Sequence, residues 1–108
     1  MPAVPKRGEV WLVDFGITQK VRPALVVSIP YQDSDRALVG VIPHTTATRG
    51  SQFEVIVPAP FLAEGAFLVQ GVPALPPEYF LRRLGLLTPE QMVQVEHGLT
   101  YWLGLGGQ

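Results

Sequence analysis

The sequence predicts a mainly β fold with a C-terminal helix, arranged as a small twisted barrel, and three observations carry that prediction. Short apolar stretches alternate with a period of two. Eleven glycines and eleven prolines in 108 residues interrupt them often enough to favour short strands over long helices. One capped helical pattern stands at the end of the chain. The length fits one domain, residues 1–108.

Glu9–Phe15 alternates with Trp11, Val13 and Phe15 facing one way, as in a half-buried strand. Gly16–Lys20 is a short loop, and Lys20–Pro30 contains the second strand. Pro23 holds Arg22 extended and sits best at a strand start, where no ladder donor is lost. Arg22, Ala24, Val26 and Ser28 then share one face and Pro23, Leu25, Val27 and Ile29 the other, both largely apolar, which makes this strand central. Tyr31–Arg36 is a polar turn. Ala37–Thr45 is a third strand with Val39, Val41, Pro43 and Thr45 on one face, followed by the loop TATRGS. Phe53–Val57 alternates again, Pro58–Glu64 is a turn with a short helical piece, and Ala66–Gln70 is a fifth strand. The run PALPPE is too rich in proline for regular structure, and Tyr79–Leu87 is a short helix passing into a last strand. The terminal helix starts at Thr88, with Pro89 in the first turn and Gln91 closing a capping box. Met92, Val95, Leu99 and Trp102 form its buried stripe, and Gly104, Gly106 and Gly107 end it.

Composition narrows the function. Hydrophobic residues make up 47% of the chain without counting glycine, and no run approaches the roughly 18 apolar residues of a membrane span. The apolar surplus is assigned to a subunit interface, so a homodimer is expected. The start MPAVPKRGEV lacks the apolar core of a signal peptide, and there is no cysteine, which fits a cytoplasmic protein and excludes disulfides and thiol chemistry. A net charge of −1 supplies no global attraction to nucleic acid, so a basic groove has to be local.

Sequence motifs for metalloproteases, phosphate loops and nucleophile elbows are missing, and His44 and His97 show no metal-ligand spacing. No cofactor is expected. His44 is a candidate for acid–base work, although alternation turns it away from Thr45, and His97 reads as a surface or interface residue of the helix. Polar groups remain at strand ends: Arg22, Thr45, Thr46, Arg49 and Gln70, with Lys20 beside them. An arginine with one or two hydroxyls binds a phosphodiester and stabilises charge developing on its oxygens. If the substrate is RNA, the neighbouring 2′-hydroxyl is the nucleophile, and neither a metal nor a protein nucleophile is required.

KRGEVWLVDF, VRPALVVS, GVIPHTT and TPEQMVQVEHGL, in this order, resemble the MazF/PemK-like toxins of type II toxin–antitoxin systems. The resemblance implies an SH3-like barrel of the CcdB/MazF kind and a homodimer with a cognate antitoxin. It also implies cleavage of single-stranded RNA without metal, leaving a 2′,3′-cyclic phosphate. The family's catalytic arginine falls on Arg22 and its catalytic threonine on Thr45; Lys20, Thr46, Arg49 and Gln70 are the expected substrate-binding residues. The loop before Arg22 is shorter than in the family, and Gln70–Pro76 carries neither the arginine nor the acid of the family pattern. The related CcdB branch shares the fold and poisons DNA gyrase through a tryptophan near its C-terminus, to which Trp102 is loosely similar. Gyrase contact and a non-catalytic RNA- or partner-binding barrel are therefore the alternative readings.

Overall fold

The second strand lies between its sequence neighbours, as two apolar faces require. A computed structural model describes residues 4–18 and 20–106. Among these, β1 (Glu9–Asp14), β2 (Val21–Val26), β3 (Val39–Thr45), β4 (Glu54–Val55), β5 (Ala66–Leu68), β6 (Ala74–Leu75) and β7 (Phe80–Leu86) precede one helix, α1 (Pro89–Leu103). The strands form one sheet in the order β4-β5-β3-β2-β1-β7, with β6 paired to β3. All pairings are antiparallel. This is the mainly β fold with a C-terminal helix that the sequence predicts. No helix among the described residues is long and apolar enough to cross a membrane.

Each face of the sheet carries its own core. Val10, Leu25 and Ile42 are paired across β1, β2 and β3 and pack with Phe67, Val69 and Val95 of α1. On the opposite face Val13, Ala24, Val26, Val39 and Val41 form a second cluster, joined by Trp11, Phe15 and Phe80. Trp11, Val13 and Phe15 thus share a face, as their alternation predicts. Burying each large aliphatic side chain contributes about 1.5–3 kcal/mol, so the strands β1, β2 and β3, which supply both clusters, are stabilised from either face of the sheet.

Several element boundaries differ from expectation. The second strand stops at Val26, because Val27 N–H goes to Gly40 O and Ser28 Oγ accepts from Gly40 N–H, a side-chain bond replacing a ladder bond. The third begins at Val39 and the fourth is only Glu54–Val55. Segment 58–65 has turns and bends without a helical piece. The fifth strand ends at Leu68 and passes into a 3-10 turn, Val69–Gly71, anchored by buried Val69. Ala74–Leu75, inside the proline-rich run, pairs with Val39 and Gly40, and a 3-10 turn at Pro77–Tyr79 leads into β7.

The helix follows its sequence signals closely. Thr88 Oγ1 accepts from Gln91 N–H at 3.1 Å, and Gln91 Oε1 accepts from Thr88 N–H at 2.9 Å. Gln91 Nε2 also donates to Pro58 O at 2.9 Å, tying the helix start to segment 58–65. Gly104, at φ +68°, ends the helix in the left-handed region, and Leu105 N–H returns to Thr100 O. Gly107 lies outside the described residues. Val95 is fully buried with Met92 and Leu99 against its core, whereas Trp102, expected in the same stripe, is 40% exposed and sits edge-on to Phe53 at 4.9 Å. The stripe drifts off the core in the last turn, where the helix faces the short β4 hairpin.

Glu9 ties the start of the sheet together. Its Oε1 accepts from Lys6 N–H at 2.7 Å and from Trp11 Nε1 at 3.0 Å, and its Oε2 pairs with Arg83 Nε of β7 at 3.0 Å. Burial alone would raise its pKa, but the Lys6, Trp11 and Arg83 contacts outweigh it and hold the carboxyl below its ordinary value of 4.5. A folded value below the unfolded one stabilises the fold above the unfolded pKa and loses that contribution as pH falls through the folded pKa. Glu9→Gln should therefore be less stable near neutrality and lose less of its urea midpoint between about pH 6 and about pH 3 than the parent. Parallel acid limbs for the two proteins would place the acid sensitivity elsewhere.

Candidate functional site

The register of β2 against β3 pairs Ala24 with Pro43, Leu25 with Ile42 and Val26 with Val41. Continued two residues further, it sets Arg22 opposite Thr45. Arg22 is also paired with Val13 of β1, and Thr45 with Ala66 of β5. The half-buried arginine and the buried threonine, 8% exposed, therefore lie in one row across four strands, at the end of the sheet where β2 begins and β3 finishes. Lys20, just before β2, closes a tight turn with its N–H on Gly16 O and its carbonyl accepting from Phe15 N–H. Its φ of +61° is unusual for a side chain with a Cβ, and the turn's two backbone bonds hold it there.

Two cavities meet at this row. The larger, about 450 Å³, is lined by Arg22, Thr45, Ala47, Arg49, Ser51, Glu54, Leu68, Gln70 and Gly71. The smaller, about 350 Å³, shares Arg22, Thr45 and Ala47 and adds Val21, Pro23, His44, Thr46 and Ala63. The larger cavity thus brings together Arg22, Thr45, Arg49 and Gln70 of the residues singled out in the sequence, and Thr46 lines the smaller one. Lys20 lines neither cavity. Gln70 arrives on the 3-10 turn after β5, not on a strand end as expected.

The hydroxyl of Thr45 is set by the loop that follows: Oγ1 accepts from Ala47 N–H at 3.0 Å. No acceptor for its own O–H proton is found among the described residues, so that proton is there to donate. His44, 4% exposed, lies edge-on to the Phe67 ring at 5.0 Å. Burial lowers its pKa, which favours the neutral imidazole near neutral pH. Among the described residues, no three His, Cys, Asp or Glu side chains gather to hold a metal ion.

Sequence reasoning missed three residues. Ser51 and Glu54 line the larger cavity, and the Glu54 carboxylate accepts from the backbone N–H groups of Arg49, Gly50 and Ser51 at 2.9–3.2 Å. Their signal was an acid four residues after a loop glycine, which has meaning only once the turn is known. The third, Gly65, sits under the end of β3: a Cβ there would strike the Thr45 carbonyl oxygen and lie 2.9 Å from His44 Cε1.

A family model described as PemK-like, MazF-like toxin of type II toxin–antitoxin system matches residues 6–103. Among solved structures, an endoribonuclease from Mycobacterial species has a TM-score of 0.79 at 25% identity, covering 96% of this chain and 95% of that one. MazE–MazF from Deinococcus radiodurans gives 0.80 at 26% identity, with 97% and 100% covered. An endoribonuclease in complex with its cognate antitoxin, from Mycobacterial species, gives 0.80 at 27% identity, with 94% and 96% covered.

Gly65→Ala should displace the Thr45 carbonyl and lower stability by about 1–3 kcal/mol, the usual cost of overpacking. Unfolding in urea measures this. An unchanged midpoint would mean that segment 58–65 yields without disturbing β3.

Proposed function

The chain belongs to the PemK-like, MazF-like toxins of type II toxin–antitoxin systems, and on that premise we propose that it is an endoribonuclease cutting single-stranded RNA at the Arg22–Thr45 row. The observation that carries this reading is the placement of an arginine and a donor-ready threonine on paired strands, at a wall shared by two cavities. Two of the structural relatives described above are endoribonucleases, which supports the same activity here.

The scissile phosphate lies against Arg22 and Thr45. Attack by the 2′-oxygen forms an O2′–P bond, the P–O5′ bond breaks, and the products are a 2′,3′-cyclic phosphate and a 5′-hydroxyl. The proton leaves the 2′-hydroxyl and one returns to the departing 5′-oxygen. The nucleophile comes from the substrate, so no divalent ion is required. Arg22 meets the charge that grows on the non-bridging oxygens, where a guanidinium fork matches phosphate geometry. Thr45, its oxygen already held by Ala47 N–H, orients a phosphate oxygen through its remaining O–H. Arg49, Gln70, Thr46 and, further out, Lys20 contact the strand on either side. These local cations offset a chain whose net charge is −1.

The partners of this reading are a cognate antitoxin and a second copy of the chain. Structural relatives solved as MazE–MazF and as a complex with a cognate antitoxin support the first. Exposed apolar residues, including Leu81 and Leu86 on the edge strand β7, support the second.

With chelator present, the parent should cleave a long single-stranded RNA to cyclic-phosphate and 5′-hydroxyl ends and leave DNA intact. Arg22→Ala should slow cleavage by on the order of a hundredfold or more with little loss of stability. Thr45→Val, which keeps the shape and removes the hydroxyl, should also slow it. Cleavage by Arg22→Ala at the parental rate would remove the arginine from the mechanism, and intact RNA with the folded parent would sink the activity itself.

Sedimentation at micromolar concentration should give twice the monomer mass. A pure monomer would count against the dimer.

A further inference from the structure

The larger cavity contains a carboxylate, and the way it is held decides what it does. Among the described residues, the four hydrogen bonds to the Glu54 carboxylate come from the backbone of the loop between β3 and β4. Oε1 accepts from Arg49 N–H at 3.1 Å, Gly50 N–H at 2.9 Å and Ser51 N–H at 3.2 Å, and Oε2 accepts from Arg49 N–H at 2.9 Å. Gly50, at φ +73°, supplies the left-handed residue that lets successive N–H groups converge on one anion. The loop is fastened again where Ser51 Oγ accepts from Phe53 N–H, and at its other end by the Thr45–Ala47 bond. No ion pair to the Arg49 guanidinium is found among the described residues.

We propose that Glu54 is the positioning residue of the RNA site: it clamps the Arg49–Ser51 turn so that the Arg49 side chain stands on the cavity wall as a phosphate contact, and it is not the proton acceptor. Two features of the geometry support this. Oε1 is crowded by three N–H groups of the turn and Oε2 is engaged by a fourth bond, from Arg49 N–H, so the carboxylate is committed to the turn before any 2′-hydroxyl arrives. It also engages the Arg49 backbone and not the guanidinium, so the cation keeps its charge for the substrate. Arg22 and Thr45 stand on strands whose ladder bonds do not involve Glu54, so loosening the turn leaves their backbones in place, and the Thr45 hydroxyl keeps its own bond from Ala47 N–H, two residues before the turn. The inference rests on the RNA-cutting reading above.

Binding is measured on a 2′-O-methyl oligoribonucleotide of mixed sequence, which offers the phosphates without the nucleophile, and cleavage on unmodified RNA at saturation. Glu54→Ala should weaken binding about tenfold, the worth of one charge-assisted contact. It should flatten the log–log salt slope by about 0.7, one phosphate of a single strand. The saturated cleavage rate should fall less than about threefold, a small effect beside that of a reacting group. Arg49→Ala should do the same, and the double variant should be no worse than either single one. Glu54→Gln keeps the Oε1 acceptor that takes three of the bonds, and should recover most of the binding. If Glu54→Ala does not fold, Glu54→Asp, whose carboxylate is one methylene too short to hold the turn, takes its place in the cycle with Arg49→Ala. Additive losses, or a saturated rate that collapses while binding holds, would overturn the proposal with the nuclease reading intact. A parent that neither binds the analogue nor cuts RNA would overturn both.

Discussion

The pairing of β2 with β3 is the constraint from which the rest follows. A one-residue slip in an antiparallel pair turns every side chain to the other face. Here such a slip would take Leu25 and Ile42 out of the helix-side core, and Ala24 and Val26 out of the opposite one. Both faces are apolar and both are covered, so the register is penalised in either direction. The same pairing, followed to its end, brings Arg22 across from Thr45. The alignment of Arg22 with Thr45 is thus a by-product of core packing, and no separate interaction has to pay for it.

Around that rigid row the site is finished by groups of another kind. Arg49 and Ser51 come from a loop set by side-chain-to-backbone bonds, and Gln70 from a 3-10 turn anchored by buried Val69 and its N–H bond to Phe53 O. Backbone N–H groups hold the Glu54 carboxylate, and the two arginines of the larger cavity outnumber it. A chain that is slightly acidic overall can therefore present a cationic pocket, since field in a concave site depends on the nearest charges.

Much of this was legible in the sequence, and the omissions have physical causes. The strand EVWLVDF, the Arg–Pro pair, and the Thr88, Gln91 and Gly104 helix signals depend on local chemistry, and local chemistry is what a sequence displays. The short strand at Ala74–Leu75 was hidden because its register comes from β3: Pro73, which donates nothing, accepts from Val41 N–H. The premature end of β2 depends on the Ser28 hydroxyl meeting Gly40, twelve residues away. Within the site, Arg22 and Thr45 could be named because their types match phosphate chemistry, whereas Glu54 looked like an ordinary strand acid until the turn wrapped around it. Trp102 has helical spacing but lies beyond the point where the core ends.

Gln91 shows how one amide can encode a tertiary contact inside a local motif. A capping box accepts either glutamate or glutamine, since either offers an oxygen to the helix start. Only the amide can at the same time donate to the Pro58 carbonyl. A carboxylate would set two oxygen atoms face to face there. The choice between these near-isosteres therefore specifies docking as well as capping, linking the helix to the segment that ends in Gly65 beneath Thr45. Helix and strand end are joined through three residues that no propensity scale would connect, so a substitution conservative for the helix need not be conservative for the site.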